Sequence, residues 1–319
     1  MNKIGWVVDT FEPLLKVHVD LIDQAFSQFD EVRIIIIEKT TDKISGQTRY
    51  NWLRETYPTS EILLLTDSEL IDLSSKFKKG ETVFSTDKKI LNEIVNPDLE
   101  AVLCKEFKVL DNCNKVTEKP IKYWKEFALE ARSHFVKKVV LYGAESSGKT
   151  TLSKQLARHY NTVWNPEFSR GYLEAKYRNS FLYKQGDPVV GQEDKVPIAL
   201  GQMATEDEML EKANKVVFYD TNIVMTKVYY DYYLKDKCEW LEQELQQRKY
   251  DLYLLLTPDI PWEADEMRDS PEVRQEIFGW FVKELEQRGI SYVEISGENA
   301  AERFRLAQEA VEQHIFKVF

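Results

Sequence analysis

Cysteine is scarce in this 319-residue chain: Cys104, Cys113 and Cys238 are odd in number, widely spaced and without a CxxC pair. That argues against a disulfide framework or a structural zinc site, and a cytoplasmic, reducing compartment is expected. No apolar run reaches the ~18 residues that a membrane span needs. The first residues, from Met1 to Trp6, run straight into strand-like sequence with no signal-peptide pattern. Positive charge is in deficit, with 43 Lys+Arg against 54 Asp+Glu and a net −11. A general nucleic-acid coat or an anionic-membrane binder is therefore not expected. Repeats and low-complexity tracts are also missing. What is present is 43% hydrophobic and 12% aromatic residues, enough for real cores at a length that suits two domains.

Strand and helix patterns alternate throughout. In the first part, residues 4–8, 32–37, 62–65 and 81–85 read as strands, and 17–29 and 50–55 as helices. The run VRIIII at 32–37 is almost wholly apolar, as suits a central parallel strand covered on both faces. Between Cys113 and Lys138 the character changes. After Pro120 an aromatic, amphipathic stretch (Tyr123, Trp124, Phe127, Phe135) reads as a connecting helix. A second β-α series follows: strands at 139–142, 161–163, 216–220, 252–256 and 291–295, with helices at 149–160, 168–177, 195–214, after 220 to about 234, at 271–287 and from 299. The expected fold is α/β in two domains. Residues 1–118 form a Rossmann-like sheet, 119–137 a connecting helix, and 138–319 a P-loop parallel sheet with helices on both faces.

The sharpest motif is Gly143-Ala144-Glu145-Ser146-Ser147-Gly148-Lys149-Thr150, a GxxxxGK[ST] loop between a strand and a helix. Its glycines let the backbone wrap so that amide N–H groups face phosphate oxygens, and the helix N-terminus adds partial positive charge. Lys149 can reach the β- and γ-phosphates of ATP, and the Thr150 hydroxyl can hold Mg2+. Thr151 continues the cradle. No NKxD tetrapeptide follows, which disfavours a GTPase, and about 180 residues is short for an AAA-type machine. A small kinase further needs an acid at a neighbouring strand end, an acceptor pocket and an arginine-bearing lid. Asp220, ending the strand VVFYD, is the expected acid and a second candidate metal ligand. Glu167 and Arg170 share one face of a helix, where the acid could bind ribose hydroxyls or serve as general base. Asp265 and Arg268 lie where a lid would be, and Arg pairs with phosphate oxygens through its planar fork. Trp164 and Trp262 could stack on a flat base or sit in the core.

Taken together, GAESSGKTTLSKQLA, WNPEFSRGYLEAKY, VPIALGQ, VVFYDTNIVMT and WEADEMR resemble, in order and spacing, the ribosylnicotinamide kinase domain of the NadR-type bifunctional family. The stretch KPIKYWKEFALEARSHFVKK is similar to that family's interdomain segment. The resemblance implies ATP-dependent phosphorylation of the 5′-hydroxyl of nicotinamide riboside. It implies that Gly143 to Thr151 cradle ATP, that Glu167, Arg170 and Gln202 line the acceptor side, that Asp220 is the catalytic or magnesium-linked acid, and that Asp265 and Arg268 belong to the lid. Which of Glu167 and Asp220 is the base stays open.

In that family the N-terminal half resembles a nucleotidyltransferase with a first loop of the form GxFxPxHxGH. Here Asp9 to His18 reads DTFEPLLKVH. Phe11, Pro13 and His18 are kept, but Leu15 replaces the first His and Val17 the second Gly. Thr117 stands where the second motif's phosphate-binding Arg is expected. With two phosphate contacts gone, adenylyl transfer is expected to be absent or very weak while the fold persists, and His18 is expected to be a leftover or a capping residue. The family's additional helix-turn-helix is not expected, since the sequence opens directly on strand-like residues. Two further readings are a truly bifunctional kinase/adenylyltransferase and a nucleotide-sensing P-loop module.

Overall fold

The computed structural model describes residues 4–73, 77–94, 99–103, 113–178, 190–235, 238–262 and 271–317. The chain divides into two compact units, Met1–Phe135 and Val136–Phe319.

In the first unit β1 (Ile4–Asp9), α1 (Lys16–Gln28), β2 (Glu31–Glu38), α2 (Gly46–Thr56), β3 (Glu61–Thr66), α3 (Asp67–Leu73), β4 (Thr82–Ser85), α4 (Lys88–Ile94) and β5 (Glu100–Leu103) alternate. The described strands form one parallel sheet in the order β3-β2-β1-β4-β5. Ile34 and Ile36 face one apolar cluster and Ile35 and Ile37 the other. That two-sided burial is why β2 carries an unbroken apolar run. The stretch read as a single connecting helix is differently built. A short helix α5 (Cys113–Glu118) is followed by a turn, one 3-10 turn at Trp124–Glu126 and α6 (Leu129–Phe135). Trp124, Phe127 and Ala131 are buried. The apolar spacing there serves the core of the first unit, and the chain turns extended at Phe127 (φ −68°, ψ 139°), which breaks the helix.

The second unit contains β6 (Lys137–Tyr142), α7 (Lys149–His159), β7 (Trp164–Asn165), α8 (Phe168–Arg178), α9 (Lys195–Lys212), β8 (Val216–Asp220), α10 (Ile223–Leu234), α11 (Glu239–Gln247), β9 (Leu252–Leu256), α12 (Pro271–Gln287), β10 (Tyr292–Ile295) and α13 (Ala300–Val311). Its described strands are parallel in the order β10-β9-β6-β8-β7. Each of Val139 to Tyr142, Val216 to Asp220 and Leu252 to Leu256 is buried. The chain leaves β6 for β7 and β8 on one side and then returns to β9 on the other. Such a reversal opens a crevice at the carboxyl ends of the central strands, beside the GxxxxGKT loop.

Candidate active site

Gly143 ends β6 with φ +145°. A Cβ there would lie 2.6 Å from the Leu256 carbonyl oxygen, so the loop can leave β6 beside β9 only without a side chain. Gly148, at φ +87°, is the residue before α7. The loop's carbonyls are occupied from within and from behind. Ser147 Oγ donates to Ala144 O at 2.7 Å. Arg303 donates to Ser147 O at 2.9 Å and also to Gly297 O and Thr257 O, and it is ion-paired with Asp259. Arg274 donates to Ser146 O at 3.2 Å and to Ile260 O at 3.0 Å. What remains for an incoming anion is the first turn of α7, whose N–H groups have no intrahelical partner.

Lys149 opens α7 and is only 7% exposed. Its ammonium donates to Gly143 O at 2.8 Å and to Ala144 O at 2.9 Å. Asp220, at the end of β8, is 2% exposed, and its Oδ1 is buried with no hydrogen-bond partner. Burial pushes its carboxyl up to about 6, against the opposing pull of the Lys149 ammonium and the Thr150 hydroxyl. The next residue, Thr221, is held at φ +88° with a buried, unpartnered hydroxyl. A β-branched residue in that region is strained.

One cavity of about 970 Å³ brings these groups together. Loop residues Glu145 to Thr151 form one wall, Asp220 and Thr221 another, and Glu167 and Arg170 a third. Glu167 accepts from Ser169 Oγ at 2.7 Å, and Arg170 pairs with Glu174 at 3.1 Å, one turn along α8. Trp164 also lines the cavity, with Lys154 Nζ 4.8 Å from its ring centroid. Tyr229 and Tyr233 of α10 line it too, stacked with centroids 6.1 Å apart.

One expectation needs correction. Gln202 does not line the cavity. It is buried behind the wall, with its amide accepting from Phe168 N–H and donating to Glu206 and Thr221 O. It shares the buried face of α9 with Ile198, Ala199, Met203 and Glu206, spaced by helical turns. Trp262 is half-buried and is not among the described lining residues. Asp265 and Arg268 lie outside the described residues. Thr221, Tyr229, Tyr233, Arg274 and Arg303 were not singled out from the sequence. The two arginines reach the loop from 128 and 156 residues away, so no local signal marks them.

The residues present suit a magnesium nucleotide. Asp220 Oδ1 is an orphaned acceptor beside the Thr150 hydroxyl. Among the described residues no group of three or more His, Cys, Asp or Glu could cage a metal. A cation accompanied by phosphates and water needs only one or two protein oxygens.

The corresponding strand ends of the first unit are differently furnished. Asp9, buried at the end of β1, accepts from Thr86 N–H at 2.8 Å, from the Thr86 hydroxyl at 2.5 Å and from the Ser85 hydroxyl at 3.3 Å. Leu15 and Val17 are buried in an apolar cluster with Val116 and Phe127. His18 accepts from Leu15 N–H at 3.0 Å through Nδ1, closing the start of α1. Burial lowers its pKa, with the nearby Asp9 carboxylate pulling the other way. His18 thus has the capping role allowed for it from the sequence.

A family model described as an AAA domain matches residues 138–303. The chain is 29% identical over 349 aligned positions to the trifunctional NAD biosynthesis/regulator protein NadR of Escherichia coli strain K12, covering 98% of this chain and 83% of that protein. It is 28% identical, with the same coverage, to the NadR of Salmonella typhimurium strain LT2. Crystal structures of NadR in complex with NR and in complex with NAD and AMP-PNP superpose with TM-scores of 0.80 and 0.78. They cover 99% of this chain and 96% and 97% of theirs, at 22% and 21% identity, so the two-unit fold is shared. The chain belongs to the AAA-domain family through its P-loop unit, and along its whole length it is a relative of NadR.

Proposed function

We propose that this chain is a ribosylnicotinamide kinase of NAD salvage, transferring the γ-phosphoryl group of ATP to the 5′-hydroxyl of nicotinamide riboside. The observation that carries the reading is the single cavity in which the glycine-bounded loop, Lys149 and Thr150 face two carboxylates, Asp220 and Glu167. The relationship to NadR, one of whose structures contains NR, supports the choice of acceptor. So does the aromatic wall of Tyr229 and Tyr233, because the nicotinamide ring of the riboside is cationic and π faces attract cations.

In this reading Lys149 and the α7 N-terminus neutralise the triphosphate. Thr150 and Asp220 would hold Mg2+, which would supply charge neutralisation at the phosphates. Glu167 and Arg170 orient the riboside. The riboside oxygen forms the new P–O bond, the bond to the β,γ-bridging oxygen breaks and ADP leaves. The hydroxyl proton passes to Glu167, while Asp220 stays on the cation side next to Thr150 and Lys149. Exchanging Glu167 for Gln then lowers kcat without altering the magnesium requirement, and exchanging Asp220 for Asn raises that requirement. Arg268 and Asp265 keep the lid role implied by the family resemblance, and loss of the Arg268 side chain lowers kcat more than ATP affinity.

The first unit, with Asp9 seated on the donors of Ser85 and Thr86 and with Leu15 and Val17 in its core, is proposed to be inactive or very weak in adenylyl transfer. A panel of nucleosides incubated with ATP and magnesium, read by ADP release and product mass, tests the kinase. ADP formation with some other nucleoside and none with nicotinamide riboside would refute the acceptor.

A further inference from the structure

The two carboxylates face one cavity from segments that are far apart in sequence. Glu167 precedes α8, and Asp220 ends β8. Between them runs a buried polar strut on α9. Gln202, 1% exposed, accepts the Phe168 N–H at 3.1 Å and donates from Nε2 to Thr221 O at 3.2 Å. The same Nε2 lies 3.2 Å from Glu206 Oε1. Glu206 is equally buried. Its Oε1 accepts the Ile223 N–H at 2.9 Å, its Oε2 accepts from Tyr250 at 2.7 Å, and Arg248 stands 3.6 Å away. One residue therefore grips the backbone directly after each carboxylate.

A second feature points the same way. Gly201, beside Gln202, leaves room for the Phe168 ring. A Cβ there would fall 2.1 Å from Phe168 Cζ. The α9 backbone is thus pressed against the residue that follows Glu167, on the same turn that bonds its N–H. At the other end, Thr221 is held at φ +88° with no glycine to relieve it. Strain of this kind persists only where the surroundings enforce it, and the Gln202 amide on Thr221 O is such a constraint.

We propose that Gln202 is a positioning residue. By bonding Phe168 N–H and Thr221 O at once, it fixes the separation of Glu167 and Asp220 and holds the Thr221 backbone at positive φ. This rests on the kinase reading of that cavity. Gln202 touches neither nucleotide nor acceptor; it acts through two backbone groups, so its loss weakens the transition state more than ground-state binding.

The test is Gln202→Met in the full chain, which keeps length and bulk but removes both hydrogen bonds. The expected result is a fall in kcat of about tenfold or more, with the KM for ATP within about twofold of wild type, and Thr221 relaxed to negative φ in the crystal structure of the variant. Gln202→Met/Thr221→Gly should regain part of the loss relative to Thr221→Gly alone, because glycine tolerates the left-handed conformation without support. A role confined to stability would lower the melting temperature and leave kcat per folded molecule unchanged. Wild-type kcat in folded Gln202→Met, or Thr221 still at positive φ, overturns the proposal. If Gln202→Met does not fold, Gly201→Ala leaves the hydrogen-bonding groups in place but pushes on Phe168, and unchanged kcat in that variant overturns it equally. If the wild type does not phosphorylate the riboside, the kinase reading falls, and the Thr221 backbone in the Gln202→Met crystal still decides whether the strut exists.

Discussion

The Lys149 ammonium lies 2.8 Å from the Gly143 carbonyl oxygen, so the cation proposed to meet phosphate is bonded to its own loop. Two neutral carbonyls are weak counterparts for a buried ammonium compared with a phosphate. In the proposed kinase reading, an arriving phosphate would take over a cation that is already desolvated.

Replacing Lys149 with Ala should therefore lower kcat by about a hundred- to a thousandfold, the usual consequence of removing one preorganised charge-stabilising group. The fold should survive, because β6 and the apolar face of α7 do not depend on it. Steady-state ADP release with a parallel thermal melt checks both parts. Near-normal turnover in a folded variant would refute the assignment.

Asp220 makes a prediction with two signs. Its carboxyl is raised by burial to about 6 in the folded chain and titrates near the ordinary 3.8 when unfolded. The folded state thus holds the proton more tightly, and the associated stability is complete below about 4 and lost as pH rises through about 6. Asp220→Asn should accordingly be more stable than wild type at pH 8, by about 1–2 kcal/mol once the amide's own unpartnered atoms are allowed for, and the gap should close as pH falls from 6 to 4. The same protonation should cut wild-type kcat/KM for ATP below pH about 6. Raising magnesium should shift that limb to lower pH if Asp220 is a metal ligand. Melting curves and rate profiles across pH 4–8 measure both effects, and an Asn variant less stable at pH 8 would contradict the assigned direction.

The parts of this architecture that were readable in the sequence are those where one local rule suffices. VRIIII and LYLLL announce strands covered on both faces. The glycine-bounded loop is readable because its backbone geometry demands glycine at 143 and 148, and Asp220 because it ends a buried strand. The two-residue β7 at Trp164–Asn165 directly follows 161–163, where a short strand is expected to begin, and so short an edge strand has no periodicity to fix its bounds. Helix α11 and strand β5 escaped for a related reason, being short and carrying charge among their apolar positions. Gln202 is assigned to the acceptor side by the family resemblance, which carries over a motif position but not its contacts. Its actual partners, Phe168 N–H and Thr221 O, are 34 and 19 residues away and exist only after folding. Thr221 could not be foreseen, because nothing about threonine suggests positive φ.

His18 gives the first unit an acid-sensitive element. Burial lowers its pKa below the ordinary 6.5, so the unfolded chain takes up the proton more readily than the folded one. Stability is complete above about 6.5 and declines as pH falls below it. Hydrogen exchange in α1, corrected for intrinsic rates, should show protection falling between pH 7 and pH 5. In His18→Asn, whose side-chain oxygen can still accept the Leu15 N–H, that fall should be smaller. Equal pH sensitivity in the two proteins would exclude His18 as its source.

The first unit is expected to lack adenylyl transfer for a reason visible at its strand ends. At the end of β1 the Asp9 carboxylate already takes the N–H and hydroxyl of Thr86, donors that a phosphate arriving there would require, and its own charge repels one. Leu15 is not a lost ligand hanging over an open site. It is 2% exposed and packed with Val17, Val116 and Phe127. Nicotinamide mononucleotide with ATP and magnesium should accordingly yield no NAD at rates comparable with the kinase reaction. Reinstating the histidine alone should not help. Leu15→His places an imidazole among apolar side chains and should cost about 1–3 kcal/mol of stability, still without NAD formation. Mass detection of NAD from the wild type would show that phosphate contacts away from positions 15 and 17 suffice and that Asp9 yields its donors to substrate, and recovery of NAD formation by Leu15→His would show that the missing imidazole alone had been limiting.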